Sequence, residues 1–264
     1  MIPTEFKLER PRSLDEAVRL LSDGGEDAKL LAGGHSLIPL MRLRLAAPET
    51  VVDLSGINDL SYIREDGDRI AIGALTRHTD VEHSELLQRR CRLLAQTAGE
   101  VGDIQVRNRG TIGGSLAHGD PNADLPAAVV ALDAELVATG PSGERTIRAR
   151  EFFLDFLTTA LAPSEILTEV RVPALDGAGS AYLKFNRRAQ DWAIVGCAAI
   201  VRGDEEVVAW TGVSATPVLA EGDWRSAADA LEPVGDLSGS AEYKRHLAKV
   251  LAKRAVAEAR GTSE

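Results

Sequence analysis

Two short segments of the sequence carry residue types that bind a charged ligand. The first, residues 31–37, reads LAGGHSL, and the second, residues 111–115, reads TIGGS. Glycine lets a ligand approach main-chain N–H groups because it has no Cβ, and it readily adopts positive φ. Successive N–H groups and neighbouring hydroxyls can together hold an anion. We call these stretches the first and the second glycine segment.

A diphosphate suits this pair of segments, because it carries two charged groups and each segment offers one set of donors. The simpler alternative is that each Gly-Gly pair is only a tight turn. Two pairs, each expected to follow a strand and each followed by a hydroxyl, favour phosphate binding. The expected donors are Gly33, Gly34 and Ser36 in the first segment and Thr111, Gly113, Gly114 and Ser115 in the second.

Common nucleotide-binding patterns do not describe these segments. The sequence contains no Gly-Lys-Ser/Thr, and neither segment is a G-x-G-x-x-G fingerprint. A P-loop and a Rossmann site are therefore disfavoured. No Ser-His-Asp or Cys-His pattern appears locally, although a triad assembled in space leaves no such trace. We assign no residue a catalytic role.

Histidines and arginines flank both segments. His35 lies inside the first segment and His118 follows the second, and each is either a phosphate neighbour or a polar loop residue. No second metal ligand stands at helical or hairpin spacing from either, so we expect no metal site. Arg107 and Arg109 precede the second segment, where contact with phosphate, contact with a partner subunit and simple solvation all remain open.

Composition narrows the class of protein. The 264 residues carry a formal charge of −10, which argues against nucleic acid or an anionic membrane as the main partner. Neither a signal peptide nor a membrane span is visible, so we expect a cytoplasmic protein. Cys91 and Cys197 are the two cysteines, too few for a thiolate-ligated iron–sulfur cluster. We expect Cys197, within AIVGCAAIV, to be an inert core residue.

Several elements must position the glycine segments. Ser13 and Glu16 form a capping box, and the helix that follows ends at Gly24-Gly25. A helical stretch over residues 76–99 leads to the second segment, and Asp124 is placed to cap the next helix, with Pro126 in its first turn. The predicted strands are AKLLAG, TVVDLS, a hairpin turning at Asp66-Gly67, a hairpin with a Pro-Ser-Gly turn, and EILTEVRVP.

A change in composition at residues 174–181, ALDGAGSA, predicts a domain boundary, since small flexible residues are typical of linkers. Beyond it, three apolar stretches are extended or helical in pattern, two of them joined around Gly203-Asp204. A terminal helix is expected from about Ser240 to Arg260. Its predicted buried face carries Leu247, Val250, Leu251 and Ala255.

The stretches LLAGGHSLIPLMRLRLAAPETVVDLSGI and VRNRGTIGGSLAHGDPNADLPAAVVAL together resemble the flavin-carrying medium subunit of the molybdenum hydroxylases. Carbon monoxide dehydrogenase-type enzymes have this subunit, and xanthine dehydrogenases carry the same unit in a longer chain. The resemblance runs through essentially the whole sequence. It implies an α+β fold: a two-lobed FAD-binding domain of the vanillyl-alcohol oxidase type over residues 1–175, then a smaller domain with an antiparallel sheet and helices over residues 176–264.

The resemblance also implies roles for individual residues. Both glycine segments would hold the FAD diphosphate, and Asp124 would contact the cofactor, a role compatible with its expected helix cap. Leu167 would contact the flavin or adenine, Lys184 would lie near the isoalloxazine, and Trp192 stands where relatives place a tyrosine or an aliphatic residue. A core position for Trp192 is the alternative. The implied cofactor-binding residues are Leu31, Ala32, Gly33, Gly34, His35, Ser36, Leu37, Thr111, Ile112, Gly113, Gly114, Ser115, Asp124, Leu167, Lys184 and Trp192.

The implied function is that of an electron-transfer subunit, which passes electrons from the iron–sulfur clusters of a partner through FAD to an external acceptor. A large subunit would carry molybdopterin and a small one two [2Fe–2S] clusters, with a dimer of heterotrimers as the assembly. Two alternatives remain: a self-contained flavin oxidase of the vanillyl-alcohol oxidase type, and a scaffold that has lost its flavin. The short C-terminal part argues against the oxidase, and the intact glycine segments argue against the scaffold.

Overall fold

The computed structural model describes residues 2–262 and begins with a small lobe built on a parallel sheet. Strands β1 (Lys7–Glu9), β2 (Ala28–Leu31) and β3 (Thr50–Asp53) lie in the order β1-β3-β2. Helix α1 (Leu14–Gly24) packs beside them. The Ser13 half of the expected capping box is confirmed, because the Ser13 side chain accepts the Glu16 N–H, whereas the Glu16 carboxylate accepts the N–H of Arg12 rather than that of Ser13. Gly25 ends the helix with φ of 55°.

The second lobe is a five-stranded antiparallel sheet in the order β4-β5-β10-β6-β7. Both predicted hairpins form, and the first turns at Gly67-Asp68, one residue later than expected. Alternating apolar residues and turn residues explain why these strands were readable from the sequence. The strands are β4 (Ile63–Asp66), β5 (Arg69–Gly73), β6 (Glu135–Gly140), β7 (Gly143–Arg148) and β10 (Ile166–Pro173).

Short helices connect the two lobes and cover the second sheet. The expected helical stretch over residues 76–99 is three helices rather than one. Ser84 caps the start of the second helix, and the non-helical backbone of Cys91, with φ of −151°, separates the second helix from the third. A two-stranded hairpin, β8 (Phe153–Asp155) and β9 (Thr158–Thr159), follows a final short helix. The helices are α2 (Leu37–Leu43), α3 (His78–His83), α4 (Glu85–Arg90), α5 (Arg92–Gly99), α6 (Ile104–Arg107), α7 (Ile112–His118), α8 (Leu125–Ala131) and α9 (Ala149–Phe152).

The C-terminal part is a four-stranded antiparallel sheet with two helices. Its strands β11 (Gly179–Phe185), β12 (Val195–Arg202), β13 (Glu205–Thr211) and β14 (Val218–Leu219) follow one another in space as in the chain. Helices α10 (Trp224–Ala230) and α11 (Ala241–Ala259) complete it. The predicted terminal helix is confirmed within a residue at each end. On its predicted face Leu247, Leu251 and Ala255 are buried, whereas Val250 is only partly covered.

Both faces of this last sheet are buried. Along β12, Ala198 and Ile200 point into the core shared with the second lobe, while Cys197, Ala199 and Val201 point into a core closed by α10 and α11. A strand buried on both sides reads as a continuous apolar run, which is why AIVGCAAIV gave no clear period. The fold is therefore α+β, as expected. Among residues 2–262, no helix is long and apolar enough to cross a membrane.

Candidate functional site

The two glycine segments, almost eighty residues apart in sequence, touch in the structure. A Cβ added to Gly33 would lie 2.6 Å from the Cα of Gly110 and would also strike the carbonyl oxygen of Arg109. On the other side of the contact, a Cβ on Gly114 would lie 3.6 Å from the Cβ of Ala32. Only glycine at position 33 allows this approach. The fold thus brings the two predicted sets of donors to one place.

The first glycine segment presents a row of unused donors. It leaves β2 and turns into α2 through Gly34, whose φ is 81°. Within residues 2–262, no oxygen accepts a hydrogen bond from the N–H groups of Gly33, Gly34, His35 or Ser36. The Ser36 hydroxyl makes no capping bond to α2. Backbone donors that are not bonded within the protein can donate to a ligand, and a row of them suits an anion.

The second glycine segment is built differently, and the expectation that it follows a strand and offers free N–H groups is wrong. It opens helix α7, and the N–H groups of residues 112–115 are already bonded inside the protein. Those of Ile112 and Gly113 donate to the carbonyl oxygens of Thr76 and Ala74, at 3.0 and 2.8 Å. The Gly114 N–H donates to the Thr111 hydroxyl at 3.1 Å. The side-chain hydroxyls of Thr111 and Ser115 are what this segment can still offer.

Close packing explains the glycines of the second segment. Neither Gly113 nor Gly114 has positive φ. A Cβ on Gly113 would lie 2.7 Å from the carbonyl oxygen of Ala74, and one on Gly114 would lie 2.8 Å from the hydroxyl oxygen of Thr111. Ile112, which precedes Gly113, is fully buried, so its side chain belongs to the core. The second glycine segment is therefore a closely packed helix start beside the first segment, and it does not present a second row of unbonded N–H donors.

One residue that the sequence analysis missed lies at the contact between the segments. His78, the first residue of α3, is 3 % exposed, and its Nδ1 atom has no hydrogen-bond partner within residues 2–262. Burial, followed by the charges of Arg107 and His35, lowers the pKa of His78 to about 4. The ring is therefore neutral near pH 7. No sequence signal marks it, because its importance depends on contacts with residues thirty positions away.

The flanking arginines have different surroundings. The Arg107 guanidinium lies 2.8 Å from the carboxylate of Glu82 and is mostly covered, so Arg107 forms an ion pair within the protein. Arg109 is exposed, and its carbonyl group forms part of the wall against Gly33. Of the interpretations left open, a purely solvated role is thus wrong for Arg107.

Asp124 and Lys184 form a buried ion pair between α8 and β11. The Lys184 Nζ donates to Asp124 at 3.1 Å and to the carbonyl oxygen of Glu100 at 2.9 Å. The Tyr182 hydroxyl donates to the other Asp124 oxygen at 2.7 Å. The expected helix cap is wrong, because the Asp124 side chain makes no capping bond and turns to these partners instead. Burial raises the pKa of Asp124 to about 6, while Lys184 and Tyr182 act in the opposite direction.

Tyr182 is a second residue that the sequence analysis missed. It is fully buried, and burial together with Asp124 raises the pKa of its hydroxyl well above the usual value. Gly196 on the neighbouring strand makes room, since a Cβ there would collide with the Tyr182 hydroxyl. A signal existed: Tyr182 and Lys184 are two residues apart on a strand and so share a face.

The remaining predicted residues divide between core and surface. Leu167, in β10, is buried in the main core, next to Thr168, whose carbonyl accepts the Ala74 N–H at 2.9 Å. Trp192 is 54 % exposed, so its core alternative is wrong. It lines a cleft of about 390 Å³ together with Arg187 and Arg188, and with residues 120 and 122 that follow α7. Leu31 and Leu37, which bracket the first segment, are partly covered.

The two cysteines are buried and unreactive. Burial raises the pKa of the Cys91 thiol to about 12 and that of Cys197 beyond it, so neither forms a thiolate near neutral pH. The expectation for Cys197 is confirmed. Within residues 2–262, no group of three His, Cys, Asp or Glu side chains is placed to hold a metal ion.

Comparisons with known proteins match the chain over most of its length. The family model described as "FAD binding domain in molybdopterin dehydrogenase" matches residues 4–175. The carbon monoxide dehydrogenase medium chain of Hydrogenophaga pseudoflava is 44% identical over 97% of both chains. The 6-hydroxypseudooxynicotine dehydrogenase complex subunit alpha of Paenarthrobacter nicotinovorans is 38% identical over 98% of this chain and 96% of that one.

Solved structures agree with the sequence relatives. A chain of carbon monoxide dehydrogenase from Hydrogenophaga pseudoflava superposes over all of both chains with a TM-score of 0.95 and 42% identity. A chain of quinoline 2-oxidoreductase from Pseudomonas putida 86 does so with a TM-score of 0.90 and 29% identity. Both glycine segments fall inside the region that the family model matches.

Proposed function

The chain belongs to the family of FAD-binding domains of molybdopterin dehydrogenases, and on this premise we propose that it is the FAD-carrying electron-transfer subunit of a molybdopterin-dependent hydroxylase complex. The full-length likeness to a medium chain of carbon monoxide dehydrogenase carries this proposal. The site supports it independently, because the unbonded N–H groups of the first glycine segment lie beside the closely packed second glycine segment.

The diphosphate of FAD is assigned to the glycine segments. The N–H groups of Gly33, Gly34, His35 and Ser36 would donate to it, together with the hydroxyls of Thr111 and Ser115. The donor set fits the group, because the N–H groups of residues 33–36 are not bonded within the described part of the chain and glycine at position 33 lets the two segments touch. When bound, FAD accepts electrons and releases them to an external acceptor, while the protein supplies position and electrostatics.

The flavin end is assigned to Asp124, Leu167, Lys184 and Trp192. Asp124 holds the ammonium of Lys184, which is 3 % exposed, so the pair offers the flavin an oriented dipole rather than a free cation. Trp192 presents an exposed indole face that can cover a flat ring. Leu167 contributes an apolar side chain next to Thr168, whose carbonyl oxygen accepts the Ala74 N–H.

The assembly consists of this chain with other subunits. We assign molybdopterin to a large partner and two [2Fe–2S] clusters to a small one, with a dimer of heterotrimers as the complete complex. Within the chain, residues 1–175 form the FAD-binding domain and residues 176–264 the C-terminal domain. A cytoplasmic location stays a prediction. The self-contained oxidase finds no support, because the relatives described above are a medium chain and a complex subunit.

The division of labour is testable with the chain alone. We expect the expressed chain to bind one FAD, to be reduced by dithionite, and to contain neither iron nor molybdenum. It should leave purines, aldehydes, N-heterocycles and carbon monoxide unoxidised until both partner subunits are added. Absorption spectra, metal analysis and anaerobic flavin reduction are the measurements. Substrate turnover by the isolated chain, at the rate of the reconstituted complex, would revive the self-contained oxidase.

A further inference from the structure

His78 is attached to the second glycine segment by its backbone. Its N–H donates to the carbonyl oxygen of Gly110 at 3.0 Å, and the preceding residue, Arg77, forms an isolated antiparallel bridge with Thr111. The ring packs on Gly110, since a Cβ there would lie 2.8 Å from Cδ2 and 3.0 Å from Nε2. The imidazole edge carrying Nε2 therefore faces Gly110.

Gly110 is also the residue that the first glycine segment touches. A Cβ on Gly33 would lie 2.6 Å from the Cα of Gly110. The His78 ring, Gly110 and Gly33 thus make consecutive contacts. The imidazole lies behind the junction of the two segments, with Gly110 between its ring and Gly33, one of the residues assigned to the diphosphate.

The buried His78 ring reduces the stability of the protein. A buried polar atom without a hydrogen bond lowers stability, and the Nδ1 atom of His78 is such an atom among the described residues. Exceptions of this kind in a well-packed region call for an explanation, and a functional role is one of them. A role at the diphosphate site would account for a histidine where an apolar side chain would pack without penalty.

The charges around His78 are mostly positive. Arg107 from α6 and His35 from the first glycine segment both act on it. Glu82, on the same helix as His78, lies 2.8 Å from the guanidinium of Arg107. The buried residues of the adjacent helix α5 are uncharged. These surroundings keep the free imidazole neutral, and the negative charge of a nearby diphosphate acts in the opposite direction by favouring the imidazolium.

We propose that His78 is a positioning residue of the diphosphate site and takes up a proton from solvent when the diphosphate of FAD binds at the glycine segments. The inference rests on the proposed function, because it takes FAD as the ligand. The imidazolium has an N–H donor at each nitrogen, and the negative charge of the diphosphate balances the positive charge of the ring. The proton returns to solvent when FAD leaves.

Calorimetric titration of the FAD-free full-length chain with FAD tests this inference. Titrations at about pH 6 in two buffers with different ionisation enthalpies give the number of protons bound. We expect uptake approaching one proton per FAD. Linkage then requires FAD affinity to fall by up to about tenfold for each unit rise in pH while the bound His78 titrates. In His78→Gln, the uptake and this slope should both disappear.

Two other histidines provide controls. His83 lies on the same helix but is 71% exposed, so His83→Gln should keep the uptake. His35→Gln tests the neighbour within the first glycine segment. Uptake that survives in His78→Gln but disappears in His35→Gln would overturn the proposal.

If His78→Gln does not fold, nuclear magnetic resonance of the wild-type protein can measure the protonation state of the His78 imidazole with and without FAD. A ring that stays neutral with FAD bound down to about pH 5 would overturn the proposal. FAD binding without proton uptake would refute this inference and leave the proposed function intact. A chain that binds no FAD would refute both.

Discussion

Of the four glycines in the two segments, only Gly34 has a left-handed backbone, with φ of 81°. The other three are needed because neighbouring backbone or side chains lie where a Cβ would be. The distinction matters for mutagenesis. A larger residue at Gly33 or Gly113 would push apart parts of the protein, whereas a change at Gly34 acts chiefly on the orientation of the peptide groups beside it.

Gly34→Ala should weaken FAD binding at least tenfold. Alanine resists positive φ by about 1–2 kcal/mol, and relaxation of the backbone turns the N–H groups of Gly34 and His35 away from the ligand. Gly67→Ala is the matched control, because Gly67 has φ of 65° and open space around it in a hairpin turn. A Cβ at position 34 would lie 2.7 Å from the Cδ1 atom of Ile38, but that side chain is exposed and can move. Both variants should therefore lose similar stability in denaturant unfolding. Equal FAD affinity in the two variants, measured by fluorescence titration, would remove Gly34 from the site.

At the level of residues, the sequence singled out the first glycine segment, Asp124 and Lys184 as candidates, but the analysis misjudged several of their environments. It could not show that Asp124 turns from its helix to Tyr182 and Lys184, because those partners lie some sixty residues away. It also left Trp192 between core and surface. Burial depends on what the fold places opposite a residue, and local pattern carries no information about that.

At the scale of elements, the Asp124–Lys184 pair joins the start of α8 to strand β11. It therefore connects the second lobe to the C-terminal sheet through two charges that are almost fully buried. Breaking a buried pair leaves one charge without a partner, which is usually more damaging than replacing both. The pair contributes to the junction between these parts as well as to the assigned flavin end.

Lys184→Met should lower the free energy of unfolding by about 3–5 kcal/mol, because it leaves Asp124 buried and unpaired. The double variant Asp124→Asn, Lys184→Met should recover much of this loss. If the pair faces the flavin, Lys184→Met should also shift the flavin potential downward, since the ammonium favours the reduced anionic ring. The double variant removes both charges and should shift the potential less. Chemical denaturation and spectroelectrochemistry measure the two effects. A single variant as stable as the wild type would contradict the burial of this pair.

Element types were largely predictable, and the reason is visible in the strands and caps. The hairpin turn at Gly67-Asp68 and the helix cap at Ser13 depend on residues close in sequence. The second glycine segment was misjudged for the opposite reason. Its N–H groups are bonded to Ala74 and Thr76, nearly forty residues earlier, and no local pattern distinguishes bonded donors from free ones.

At the scale of the whole molecule, the FAD-binding part and the C-terminal part share a core. Tyr182, Ala198, Ile200 and Ala209 of the last sheet belong to the same buried cluster as the second lobe. The opposite face of that sheet packs on α10 and α11. The proposed boundary near residue 175 thus divides two sheets that support one another, which favours a single stable unit that presents FAD to its partners.

Amide hydrogen exchange with and without FAD tests the central claim most directly. Without FAD, the unbonded N–H groups of Gly33, Gly34, His35 and Ser36 should exchange fast, while those of Gly113 and Gly114 are already protected by hydrogen bonds. Addition of FAD should slow exchange at the first four residues by at least tenfold and change Gly113 and Gly114 little. Unaltered exchange at residues 33–36 in a chain saturated with FAD would contradict the assignment of the diphosphate to the first glycine segment.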